Sequence, residues 1–157
     1  MNIFILSEDP TEAAQAQIDK HVVKMPLETA QLLCATFPEK TAPYARTHYN
    51  HPCAIWTRQT TGNFLWLCDH GEALSAEYTR RYGKTHKSLE VIRWARENIN
   101  SAELGVGHFE PGMTPFAQAM PDEYKNPDPV IAYRAYYKGA KANIATWKEP
   151  ATPPAWW

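Results

Sequence analysis

The segment DKHVVKMPLETAQLL, residues 19–33, crowds Asp19, His21, Lys24 and Glu28 around Pro26. A carboxylate beside an amine can take its proton and later stabilise an iminium, and a histidine can relay protons, so the set fits general acid and base chemistry. The same residues also fit a solvent-facing helix start, where acids meet the positive end of the helix dipole. A second cluster is THYNHPC, residues 47–53, with His48, Asn50, His51 and Cys53. His48 and His51 have HxxH spacing, which zinc accepts, but neither a CxxC pair nor an HExxH helix accompanies them, and no metal is expected. Cys53 at the second position of a helix would have its thiolate stabilised by the dipole, with His51 or His48 as base. Its alternative is burial ahead of Ile55 and Trp56.

Cations and rings interleave in TRRYGKTHK, residues 79–87, and YRAYYKGAK, residues 133–141. Arg80, Arg81, Lys84, Lys87, Arg134, Lys138 and Lys141 could hold phosphates while the neighbouring rings stack on bases. The same pattern describes the solvated sides of two amphipathic helices.

These groups must be positioned by a chain of 157 residues, a length that implies one domain, residues 1–157, able to bury about 70% of its extended surface without disulfides. Net charge is −1, so no global basic field announces nucleic acid, and any such site must come from local clustering. Cys34, Cys53 and Cys68 form an odd, sparse set that fits a reducing cytoplasm. MNIFILSEDP lacks a basic start and turns acidic at Glu8 and Asp9, unlike a signal peptide, and no stretch is long enough to span a membrane.

Periodicity predicts a mainly α, compact domain of about five helices, with a short extended N-terminal arm over residues 2–6 and a long ordered loop. A short helix follows Asp9-Pro10, and Pro26 is expected to break any helix running through from residue 19, placing the first long helix at about 26–37. His51-Pro52 reads as an N-cap and N1 pair. The longest helix spans roughly 62–82 and stops at Gly83, and another covers 85–99. Residues 100–129 form the loop, packed by Phe109, Phe116 and Met120, and Val130–Trp147 is the last helix. The tail PATPPAWW, within the Pro- and Trp-rich residues 149–157, either docks on the body or awaits a partner.

Asp19, His21 and Glu28, then NHP at 50–52 before Trp56, then FLWLCDHGEALSAEYTRRYG, together resemble the small proteins grouped with the pyrimidine-dimer DNA glycosylases of the phage endonuclease V type. MPDEY at 120–124 and the aromatic C-terminus are similar to that family too. The resemblance implies a helical domain that grips double-stranded DNA, flips a base and cleaves its glycosidic bond, as a monomer and without a cofactor. It also implies an N-terminal α-amine that attacks the sugar C1′, a part taken here by Met1, and an assisting glutamate at Glu28. An α-amine with an ordinary pKa of about 7.7 to 8.0 is partly neutral at pH 7, unlike a lysine. Here Asn2 follows Met1, a residue large enough for Met1 to be retained, and Leu27 and Gln31 stand where the family has arginines around its glutamate. If the arm folds back so that the amine reaches Glu28, the first cluster is a site; if it points away, the cluster is a helix start. The other functions open to this sequence are a non-catalytic DNA-binding protein on the same fold, a nucleotide or modified-base enzyme using His48, His51 and Cys53, and an interaction module using Trp156 and Trp157.

Overall fold

The computed structural model describes residues 1–105 and 112–157, among which there are six α-helices and no strand. Helix α1 is Pro10–Ala16, α2 Asp19–Cys34, α3 Pro52–Gln59, α4 Thr61–Tyr82, α5 Leu89–Glu97 and α6 Pro129–Ala140, with 3-10 turns at Ile99–Ser101, Asp122–Tyr124 and Ala142–Ile144. The mainly α class is as expected, with one helix more than the five anticipated. Phe109 lies outside the described residues.

Local chemistry explains the helix ends. Asp9 accepts from the Glu12 amide at 2.8 Å and Pro10 takes the first position of α1, while Asp128 and Pro129 repeat the arrangement for α6. His51 and Pro52 start α3 as anticipated, Thr60 caps α4, and Gly83 ends α4 in the left-handed conformation at φ 67°. Helix α4 runs through the centre and touches α1, α2, α3 and α5. At Gly71 the approach is close: a Cβ would lie 2.7 Å from Thr29 Cγ2 on α2 and 2.9 Å from Ile92 Cδ1 on α5.

Three expected boundaries are corrected. The helix expected over 85–99 is shorter, Leu89–Glu97, starting after Ser88. Pro26 does not start a helix; it lies buried inside α2, which begins seven residues earlier at Asp19 and ends at Cys34. Proline removes the amide that would bond the Val22 carbonyl. Beside that gap, His86 Nε2 donates to the Val23 carbonyl at 2.9 Å. The last helix ends at Ala140 rather than Trp147, yet Ile144 and Trp147 still pack on the core from the turn and loop beyond it.

Asp19 ties three parts of the fold. Its carboxylate accepts from Arg81 on α4 at 3.0 Å, the Thr146 hydroxyl at 2.8 Å and the Lys148 amide at 2.9 Å. The tail docks on the body: Trp156 lies against Tyr137 with the Arg134 guanidinium 5.1 Å from its ring, and Trp157 meets Trp147 edge to face. No helix among the described residues is long and apolar enough to cross a membrane.

Candidate active site

The N-terminal arm turns inward. Ile3 to Leu6 are buried in the core, and Phe4 adopts a left-handed φ of 60°, a conformation costly for an aromatic residue and maintained by its surroundings. Its ring stacks on His21 with centroids 4.1 Å apart. Asn2 braces the arm from within: its Oδ1 accepts from the amides of Ile3 at 2.8 Å and Phe4 at 3.2 Å, and its Nδ2 donates to the Ala119 carbonyl at 2.8 Å. Gln17 and Arg134 bond the carbonyls of Ile3 and Leu6. The result is that the Met1 amine lies 3.3 Å from Glu28 Oε1, with the two side chains only 2% and 8% exposed.

The pair sits at an open cleft of about 500 Å³, also lined by His21, Lys24, His51, Lys125 and Lys141. Its lining thus carries four cations, the Met1 amine and three lysines, against one carboxylate, Glu28, although Lys125 is itself paired with Asp122 at 2.8 Å. Lys24 Nζ is 3.9 Å from Glu28 Oε2 one helical turn away, and Lys141 lies 5.3 Å from the Tyr136 ring centre. Such a surface attracts anions.

His21 is held neutral. Burial, followed by the charges of Lys141 and Lys24, depresses its pKa to about 3. Its Nδ1 lies 2.6 Å from the Tyr137 hydroxyl. Burial raises the pKa of that phenol, with the backbone of Ile18 offsetting part of the effect. Its proton needs an acceptor, and among the described residues His21 Nδ1 supplies one. We therefore assign the imidazole proton to Nε2.

The second cluster divides. His51 shares the cleft with Met1 and Glu28. His48 and Asn50 are exposed on the preceding loop, and the His48 ring bonds the neighbouring Thr47 hydroxyl. Cys53 points the other way, fully buried, and burial raises its thiol to about 12, the opposite of an activated nucleophile. His51 cannot act as its base, because His51 Nδ1 already accepts the Cys53 backbone N–H at 3.1 Å. Among the described residues no three His, Cys, Asp or Glu side chains are grouped to hold a metal ion.

The basic residues divide as well. Lys141 is at the cleft. Arg81 is buried, with its guanidinium given to Glu77, Asp19 and the Gln15 carbonyl; the expected phosphate contact there is corrected to an internal ion pair. Arg80 is exposed but forms two hydrogen bonds to Glu77, and Arg134 faces the docked tail. Lys84, Lys87 and Lys138 are exposed.

Compared with models of known protein families, with curated proteins and with solved structures, the chain has no match. The chemistry of the cleft therefore carries the functional argument.

Three contributors escaped the sequence reading. Lys125 arrives from the end of the 3-10 turn Asp122–Tyr124 inside the long loop, with no periodicity to place it. Asn2 follows Met1 with nothing to mark it as a brace. Tyr137 fell inside the helix expected over Val130–Trp147, with nothing in the sequence to show that its buried hydroxyl would need His21 as a partner.

Proposed function

We propose that this protein acts on double-stranded DNA as a glycosylase and AP lyase, with the Met1 amine as nucleophile. The observation that carries the reading is the amine 3.3 Å from Glu28 at the edge of an open cationic cleft. A carboxylate at that distance can accept the ammonium proton and free the nitrogen lone pair. The amine then attacks C1′ of a nucleotide rotated out of the helix, and the base departs with the electrons of its glycosidic bond and a second proton from the attacking nitrogen, which keeps one. Glu28 next faces the positive charge that develops at C1′ and the attached nitrogen. His21, neutral and carrying its proton on Nε2, orients the sugar as a donor. Lys24, Lys125 and Lys141 hold the flanking phosphates, with Lys84, Lys87 and Lys138 extending the contact along the duplex. No step calls for a metal or another cofactor.

The test is borohydride trapping on a duplex with a single abasic site, followed by digestion and mass spectrometry. The expected adduct is on the Met1 amine and is lost in Glu28→Gln. An adduct on Lys24 moves the nucleophile from the arm to α2, one helical turn before Glu28. Retarded duplex without any adduct would leave a DNA-binding protein that lacks the chemistry.

A further inference from the structure

We propose that His51 is a substrate-contacting hydrogen-bond donor, whose Nε2–H takes the ring oxygen of the attacked deoxyribose as its acceptor; this rests on the glycosylase and lyase reading above. His51 reaches the cleft from α3, across from the helix that carries His21 and Glu28. Its role is set by its place in the helix. As N-cap of α3 it receives the Cys53 amide on Nδ1, so the neutral ring carries its hydrogen on Nε2 and has no lone pair left to act as a base. Burial, then the charges of the Met1 amine and His48, hold its pKa below the usual histidine range, with Glu28 pulling the other way.

The donor is also fixed in space. Pro52 follows it at the first position of α3, and its own amide bonds the His48 carbonyl at 3.0 Å. The loop before it is held, because the Tyr49 ring packs against two guanidiniums, with Arg46 at 4.4 Å and Arg58 at 3.8 Å from its centre. Arg58 also donates to the Tyr49 carbonyl at 2.6 Å. A donor that need not reorganise is most useful where charge develops during reaction.

The reaction develops charge at one such atom. Once nitrogen is bonded to C1′ and the base has left, the nitrogen lone pair becomes the C=N bond as the C1′–O4′ bond breaks. Those bonding electrons pass to O4′, which takes the proton that Glu28 removed from the amine. The products are an iminium, a 4′-hydroxyl and the Glu28 carboxylate. His51 gives up no proton in this step and stabilises O4′ while its charge grows.

The variant His51→Ser separates this role from folding, since serine is itself a preferred N-cap and keeps α3 capped while removing the imidazole. Two measurements decide. The first is the single-turnover trapping rate on an abasic duplex, expected to fall by about 100-fold in His51→Ser. The second compares binding of duplexes containing a tetrahydrofuran abasic analogue or its cyclopentane counterpart, with CH₂ in place of the ring oxygen. The wild-type protein should prefer the tetrahydrofuran duplex by about fivefold, and His51→Ser should bind the two equally. An unchanged preference in His51→Ser, no preference in the wild-type protein, or a trapping rate within twofold of wild type would each overturn the proposal. If the wild-type protein traps nothing, the lyase reading fails by itself, and the binding comparison still decides on His51.

Discussion

The Tyr137 hydroxyl lies 2.6 Å from Nδ1 of His21, joining α6 to α2 directly beneath the cleft. Replacing Tyr137 with Phe leaves the ring packing in place and removes that one hydrogen bond. We expect a loss of about 1 to 2 kcal/mol in urea unfolding, because Nδ1 is left without its buried partner. Trapping on abasic DNA should slow at the same time, since the imidazole is then free to carry its proton on either nitrogen. A variant that loses stability but keeps the wild-type trapping rate would show that the bond serves only the fold.

Two histidines make the fold sensitive to acid. Burial is the first cause in both, lowering His21 to about 3 and His70 to about 4 from an ordinary value of 6.5. As pH falls below 6.5 the unfolded chain takes up these protons while the folded chain does not. Stability is therefore full above that pH and is lost on the way down to the folded values. The slope approaches about 1.4 kcal/mol per pH unit for each histidine. The urea midpoint should drop between pH 7 and pH 5, and His70→Gln should flatten the dependence while leaving the contributions of His21 and of His51, whose pKa burial also lowers.

Arg81 and Lys141 should separate cleanly by experiment. Arg81→Ala takes one of two guanidiniums from Glu77, which keeps Arg80, and leaves Asp19 with the Thr146 hydroxyl and the Lys148 amide, for an expected loss of about 1 to 3 kcal/mol. Lys141→Ala should leave the melting temperature nearly unchanged and reduce the salt dependence of duplex binding by about one phosphate contact. A destabilised Lys141→Ala would mean that its place over the Phe4 and Tyr136 rings matters more than its charge.

Gly71→Ala is a small change with a large expected effect. The new Cβ has to displace Thr29 and Ile92, and overpacking of this kind costs about 1 to 3 kcal/mol. Thermal denaturation checks it: a variant as stable as the parent would mean that α2 and α5 give way without strain. Thr29 neighbours Glu28, so a shift of α2 should also register in the trapping rate.

The helical class, the starts at Asp9 and His51, and the stop at Gly83 were all readable, because each depends on a few neighbouring residues. Glu28 and His21 could be named from their spacing, but their approach to Met1 could not. That approach depends on the bend at Phe4 and on Asn2 reaching Ala119, far away in sequence. Pro26 misled because the local rule against helical proline takes no account of burial or of His86 beside the exposed carbonyls. The last helix was drawn too long because its apolar stripe outlasts its backbone: Ile144 and Trp147 remain inward-facing after the helix has ended. Arg81 read as a surface cation because nothing near it in the sequence announces Asp19.

Asn2 bridging to Ala119 also has a temporal side. The cleft draws on residue 1, on residues 21 to 28 and 51, and on residues 118 to 141, so its parts leave the ribosome at widely separated moments. During synthesis the first residue waits unanchored while most of the chain is made. Closing that long loop costs more entropy than any contact within α2. A nascent chain released before Ala119 has a helix bearing Glu28 but neither the Tyr137 floor beneath His21 nor the Ala119 brace for the arm. Assembly of the cleft thus waits for the later part of the chain, even where the helices of a truncated product form.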